Sequence, residues 1–481
     1  MGLSGNDKGI TGKAVIIPFI CSMISSINDF KKPFFIGVAG VGMSAIAQYL
    51  KGIGKDVSGS DRFFAPGEYN ETKEKLEVEG IQCFLQNGDG ITDSTDLIVV
   101  STAIEDTVAE VQKARKLNIP IIKRSELLSL IADSKKTIAV GGTSGKSTTS
   151  AMLFDILEFA GLQPSIISGA GLMTIIKQGK IGNAKVGAGE LLVIEADESD
   201  GSIVQYKPKI GLLLNIDKDH QEIDELISIF GIFKNNSEKF IVNQSHSLAK
   251  QLSKEVQHDF SSDTNVPAGY TASDFKQDGL TINFKINGVD FTLNQVGKHN
   301  MENALAATCV ANQLGVDLKT CAEALKNYEG IYRRHQVLGK KKGVWLIDDY
   351  AHNPVKCAAA AIEACQPVAA KVIAWFQPHG YKPTKFLRTD FVNEIAKALR
   401  PQDEIWMSEI FYAGGTAVKD ISANDLINDL KALGKSAFFA ENRKNFLAAV
   451  RPHFTDDCVL LLMAARDPSL EQFARQTWQD L

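Results

Sequence analysis

Three times along the chain an apolar run breaks into glycine and is followed by residues with helical spacing. The first opens at Phe34 with "FFIGVAGVGMSAIAQYLKGI". A continuous apolar run ended by glycine predicts a buried strand, and apolar positions recurring every three or four residues predict the helix behind it. "DVSGSD", "DLIVVSTAI" (96–104) and "IPIIKR" (119–124) predict further strands, and "SELLSLIADSKK" (125–136) a closing helix and link. The second run is "KTIAVGG", followed by the helix "TSAMLFDILEFAG" and the strands "ELLVIEAD" (190–197) and "IGLLLNI" (210–216). "LTINFKINGVDFTLN" (280–294) alternates with period two about Asn287-Gly288. It predicts a hairpin on a type I′ turn, here read as an antiparallel edge of the second sheet. The third run starts near "GIYRRHQVLG"; "GVWLIDD", "KVIAWF", "DEIWMSE", "SAFFA" and "CVLLLMA" alternate with helical stretches such as "ENRKNFLAAVRPHF". Strand–helix alternation on this scale predicts an α/β protein of three parallel-sheet units. The expected limits are 1–133 with an extension over 1–30, then 134–330 and 331–481, the first and third Rossmann-like.

Composition narrows the class. A chain of 481 residues with 44% hydrophobic and 23% charged residues suits a multidomain globular enzyme. A net charge of -5 without a dense Lys/Arg block argues against nucleic acid. Seven scattered cysteines with no C-x-x-C pair read as reduced thiols, as expected of a cytoplasmic protein. "AVIIPFICSMI" (14–24) follows Lys8 and Lys13 in the manner of a signal peptide, but is too short to span a bilayer and has no small-residue cleavage site after it. An extension packed on the first unit, or an upstream start or tag, is expected, and no membrane partner.

The chemistry gathers at strand ends. "GGTSGKST" (141–148) is a compressed phosphate loop: position 140 is Val, where the longer G-x-x-x-x-G-K-[ST] form has glycine. Between a strand and a helix, the backbone N–H groups of Gly142, Thr143, Ser144 and Gly145 face phosphates, Lys146 bridges them and the Ser147 hydroxyl ligates Mg²⁺, with Thr148 beside it. "VIEADESDGS" places Glu195, Asp197, Glu198 and Asp200 at the end of a buried strand, and "NIDKDHQE" offers Asp217, Asp219 and His220 at the next. Carboxylates this close repel one another unless a cation lies among them, so the two ends form a candidate Mg²⁺ nest with His220 as a ligand. "GKHNMENALAA" sets Asn300 and Asn303 on one face of a starting helix, for a nucleoside edge or for capping. The glycine turn at Gly37, Gly40 and Gly42, with Asp61 beyond it, fits a dinucleotide site, another nucleotide's diphosphate, or a purely structural turn.

Taken together, "GVAGVGMSAIA", "VSGSD", "GTSGKSTT", "EADESD", "NIDKDH", "GKHNMENALAA", "RRHQ", "DDYAHNP" and "FQPHGY" resemble the Mur ligase family from about Phe34 to the C-terminus. They are most similar to the branch that adds L-alanine to UDP-N-acetylmuramate. The resemblance implies ATP and Mg²⁺ as cofactors and an acyl phosphate attacked by an amino acid, in peptidoglycan precursor synthesis. It also implies a P-loop ATPase-like central domain, with Lys146, Glu195 and His220 as catalytic residues. Ser147, Glu195 and His220 are then metal ligands, and Asn300, Asn303, Arg334 and Asp349 nucleotide contacts. Gly40, Gly42, Met43, Ser44, Ser60 and Asp61 line the UDP-sugar pocket, and His352, His379 and Lys382 face the incoming amino acid.

Some positions depart from the branch pattern. Ser147 replaces the usual Thr, and Ser144 stands where the branch commonly has His. "FQPHGYKPT" has Gly380 and Pro383 where the branch has two arginines. A murein-tripeptide recycling ligase is the nearest alternative, although "EADESDGS" departs from that branch's stretch. A nicotinamide oxidoreductase leaves the phosphate loop unexplained. A catalytically silent paralogue sits poorly with intact Lys146, Glu195 and His220.

Overall fold

The computed structural model describes residues 24–199, 201–217, 222–353, 359–412, 414 and 418–481. Its first sheet runs, edge to edge, Gln82–Leu85, Ser58–Asp61, Pro33–Ile36, Leu97–Val100 and Ile121–Lys123, all parallel. The connections leave Pro33–Ile36 in opposite directions, so a crevice opens at the carboxyl ends of Pro33–Ile36 and Leu97–Val100. The helix Val41–Gly52 buries every residue from Met43 to Leu50. Buried all round, the helix must be covered all round, and the second unit covers its far side. Asn183 there donates to Val41 O (2.8 Å) and Ser44 Oγ (3.0 Å) and accepts from Gln48 Nε2 (2.7 Å). Ile24, Ile27 and Phe30 pack on the same core, and Lys55 Nζ donates to the Ile27 and Phe30 carbonyls.

The second sheet runs Lys239–Val242, Ile210–Leu213, Lys136–Gly141, Leu191–Glu195, Ser165–Ile167 and Ala184–Lys185, parallel except for the last pair. Lys136–Gly141 thus feeds the phosphate loop from the middle of the sheet. The helices Lys146–Phe159 and Lys298–Gln313 pack through Met152, Leu153, Ile156, Leu305 and Cys309 in one core.

The hairpin turns where predicted, with Asn287 at φ 47° and Gly288 at φ 82°. It is not an edge of the parallel sheet, however. Thr281–Ile286 and Val289–Leu293 join Tyr270–Asp278 and Phe260–Ser261 in a separate four-stranded sheet. The alternation explains this: Ile282, Phe284, Ile286, Phe291 and Leu293 make one apolar face, and it packs into the core that also holds Ala304 and Leu305.

The third sheet runs Gln336–Lys341, Val344–Asp349, Cys458–Ala464, Lys371–Gln377, Glu404–Met407 and Ala437–Phe439, parallel but for its first pair. "ENRKNFLAAVRPHF" forms three short pieces, Arg443–Asn445, Phe446–Val450 and Arg451–His453, rather than one helix. Pro452 lacks the N–H that a continuing helix needs. Among the described residues no helix is long and apolar enough to cross a membrane.

Candidate active site

The phosphate loop needs its glycines. Gly142 has φ 135° and Gly145 φ 84°, a region that L side chains rarely adopt. A Cβ on Gly145 would also lie 2.6 Å from Asn303 Oδ1. One wall is braced by Asn215. It accepts from Ser144 N (2.9 Å) and Thr143 Oγ1 (2.9 Å) and donates to Ser144 O (3.1 Å). Behind the loop, Thr149 Oγ1 donates to Asn303 Oδ1 (3.2 Å), and Asn303 donates to Asn300 Oδ1 (3.3 Å). Asn300 and Asn303 are therefore buried supports at the rear of the loop, while residues 143–148 stay half-buried at its mouth.

Lys146 opens the helix that follows. Its ammonium donates to Gly142 O (2.7 Å) and pairs with Glu198 Oε2 (2.8 Å). Burial works to lower its pKa, but the charges of Glu198, Asp197 and Glu195 outweigh it and hold the pKa above the ordinary value, so Lys146 stays charged. Burial likewise works to raise the Asp197 carboxyl. Lys146, the Ser199 hydrogen bonds and Arg124 offset that and leave it below the usual value. Glu195 accepts from Ser147 Oγ (2.8 Å), Ser168 Oγ (2.7 Å) and Gly169 N (2.6 Å). His220, Asp219 and Asp200 lie outside the described residues. Asp217 lies 3.3 Å from His246 Nε2, a histidine that the motifs did not single out.

In the first unit, Asp61 uses both carboxylate oxygens on backbone, accepting from Ala39 N (2.9 Å) and Phe63 N (3.0 Å). The Ser60 carbonyl accepts from Gly37 N (2.7 Å) and Val38 N (3.0 Å). Together they shape the turn. Gly40 is exposed at its lip, and Gly42 lies beneath Arg124, whose Nη1 is 3.1 Å from where a Cβ would stand. Met43, Ser44 and Ser60 are buried.

The third unit meets the second beside the start of the helix Lys298–Gln313. Arg333, buried, pairs with Asp348 (2.9 Å) and donates to Ala464 O (2.8 Å), an internal brace. Both arginines face the Tyr350 ring, Arg333 at 5.4 Å and the half-buried Arg334 at 4.7 Å from its centroid. Asp349 accepts from His335 N (2.7 Å) and lies 3.1 Å from His335 Nδ1. The His335 ring in turn lies 5.0 Å from that of His299, at the start of the helix whose Asn303 supports the phosphate loop. Gln277 completes the seam, accepting from Gly297 N (3.0 Å) and donating to Ala364 O (2.9 Å). His352 and His379 stand 5.7 Å apart, and Lys382 is exposed on the helix Tyr381–Phe386 beside them.

Besides His246, and Ser168 and Gly169 at Glu195, the sequence reading passed over Asn215 and His299. Asn215 sits inside a motif read only for its acids. His299 sits beside the two asparagines, but nothing local marks it as facing another unit.

Comparison with known proteins follows the same three units. The Mur ligase family catalytic domain matches residues 34–136, the Mur ligase middle domain 140–311, and the Mur ligase glutamate ligase domain 333–466. A UDP-N-acetylmuramate–L-alanine ligase of Carboxydothermus hydrogenoformans is 33% identical over 445 residues, covering 90% of this chain and 93% of that protein. The enzyme of the same name from Aquifex aeolicus is 32% identical, covering 93% and 98%. The crystal structure of UDP-N-acetylmuramate-alanine ligase from Thermotoga maritima superposes with a TM-score of 0.76 at 26% identity, covering 93% of this chain and 98% of its own. A murein peptide ligase from Psychrobacter arcticus shares the fold, with a TM-score of 0.63 at 20% identity and coverage of 93% and 98%. Matched unit by unit and nearly end to end, the chain belongs to the Mur ligase family.

Proposed function

We propose that the chain is an ATP-dependent ligase joining L-alanine to the lactyl carboxylate of UDP-N-acetylmuramate, in peptidoglycan precursor synthesis. The observation that carries this reading is the charged Lys146 at the mouth of a glycine loop, beside the Glu195–Ser147 pair, in a chain whose full-length relatives bear that enzyme's name. We assign the UDP-sugar to residues 1–133, ATP to 134–330 and the amino acid to 331–481. Substrates of this kind, nucleotides and a free amino acid, place the reaction in the cytoplasm.

The lactyl carboxylate attacks the γ-phosphorus, forming a P–O bond as the bond to the β-phosphate oxygen breaks and ADP leaves. The acyl phosphate is needed because a carboxylate resists nucleophiles, whereas phosphate is a good leaving group. The amine then attacks the carbonyl carbon, and the tetrahedral intermediate collapses to amide and phosphate. Lys146 offers fixed positive charge where negative charge migrates, and the loop N–H groups other than those of Thr143 and Ser144, which donate to Asn215, hold the nonreacting phosphates. Arg334, stacked on Tyr350, and Asp349 reach the nucleotide from the third unit.

The donor set fits Mg²⁺. Ser147 Oγ and Glu195 Oε2 are hard oxygens 2.8 Å apart, near the edge of about 2.9 Å that an octahedron with 2.0–2.1 Å bonds requires. Ser147 and Glu195 would hold one ion and His220 a second, and the bound metal would neutralise phosphate charge. Ser168 and Gly169 orient Glu195 for that task.

The test is phosphate release from ATP and Mg²⁺ with UDP-N-acetylmuramate against single amino acids and the stem tripeptide. Release with L-alanine supports the reading. Release with the tripeptide alone transfers the chain to the recycling reaction, and release with no amine sinks the ligase.

A further inference from the structure

Among the described residues of the third unit, one cation has no acid paired with it. Lys419 lies over two tyrosine faces at once, 5.8 Å from the Tyr381 ring centroid and 5.5 Å from that of Tyr412. The two rings meet edge to face at 5.4 Å. Both belong to the rim where the strands Lys371–Gln377 and Glu404–Met407 end, the side on which an open parallel sheet binds ligands. Gly380 N donates to Phe411 O (2.8 Å) and Phe411 N to Pro378 O (2.8 Å), so the segment bearing Tyr412 is laced to the one bearing His379 and Tyr381. Lys385 pairs with Asp420, which ties down the residue next to Lys419.

Most neighbouring cations are paired, with Lys382, exposed on the helix Tyr381–Phe386, the exception among those described. Arg443 pairs with Asp467, Arg388 with Asp429 and Lys385 with Asp420. Among the described residues Lys419 has no carboxylate partner. Resting on aromatic faces restricts an ammonium without neutralising it, and such a group loses less freedom when an anion arrives. Positions 380 and 383 on the same rim are Gly and Pro and supply no charge.

We infer that Lys419 is the specificity-determining anchor for the carboxylate of the incoming amino acid, with Tyr381 and Tyr412 as the platform that positions it. The inference rests on the ligase reading above. It places the carboxylate toward Lys419 and leaves the amine directed to the acyl phosphate.

The experiment compares L-alanine with L-alaninamide, which keeps the amine and lacks the charge. In the wild type, kcat/KM should favour L-alanine. Lys419→Met should raise KM for L-alanine roughly ten- to hundredfold, the usual effect of losing a hydrogen bond to a charged group. Alaninamide, ATP and UDP-N-acetylmuramate should keep their KM values within about twofold, within the ordinary scatter of a surface substitution. Lys419→Arg should restore most of the preference. Equal losses for L-alanine and alaninamide, or no change in either, would overturn the assignment. If the wild type ligates no amine, the ligase reading fails first and this one falls with it.

Discussion

At the scale of single residues, the Lys146–Glu198 pair is the sharpest commitment. Glu198 has only 6% of its side chain exposed, so removing the ammonium strands a buried carboxylate. Lys146→Met should therefore lose activity by about a hundredfold or more, through lost charge stabilisation. It should also lose roughly 3 kcal/mol of stability, as when one partner of a buried pair is deleted. Adding Glu198→Gln should recover most of the stability and none of the activity. Urea melts and phosphate release, measured on the same samples, separate the two effects. If the double variant is no more stable than Lys146→Met, the pair is not what holds that carboxylate.

At the scale of elements, the loop and the helix Lys298–Gln313 fit each other through Gly145 and Asn303. Gly145→Ala meets two obstacles, a left-handed backbone and an oxygen 2.6 Å from the new carbon. Asn303→Ala should relieve the second and leave the first, which costs about 1–2 kcal/mol for a non-glycine residue. Gly145→Ala should thus weaken ATP binding strongly by calorimetry, and the double variant should regain only part of it. Full recovery would show that backbone conformation is not limiting. Much at this scale was legible beforehand. Apolar runs ending in glycine marked the strands feeding both turns, and Asn287-Gly288 announced its hairpin. Its destination was not legible, because period-two alternation shows that one face is buried without saying against what. The same limit hid Asn215, whose hydrogen bonds to Ser144 join positions 71 apart in the chain. Arg333 and Arg334 are adjacent and identical in type. Only the fold separates Arg333, buried against Asp348, from Arg334, which stays half-buried.

At the scale of the whole molecule, the first two units share a buried polar joint, whereas the third meets the second at a seam of rings. Asn183, Ser44 and Gln48 are all buried and mutually bonded, so the first two units form one body. At the seam, His299 is pushed down to about 3, by burial first and then by the neighbouring His335, against the pull of Asp349. An imidazole ordinarily protonates near 6.5. Below that value the unfolded chain takes up a proton that the folded chain refuses, so this contribution to stability is complete above 6.5 and is lost as the pH falls toward 3. His299→Phe should flatten that acid limb. Denaturant melts at about pH 7 and about pH 4.5 would show it, and an unchanged slope would place the sensitivity elsewhere.

The two neighbouring imidazoles at that seam have a practical consequence. They belong to different units, and one of them starts the rod that supports the phosphate loop. A flat aromatic compound sliding between His299 and His335 would work as a doorstop. It would prop the third unit away from the loop and slow the enzyme while resembling none of its substrates, and substrates that need the unit close by would oppose it from a distance rather than by sharing its site.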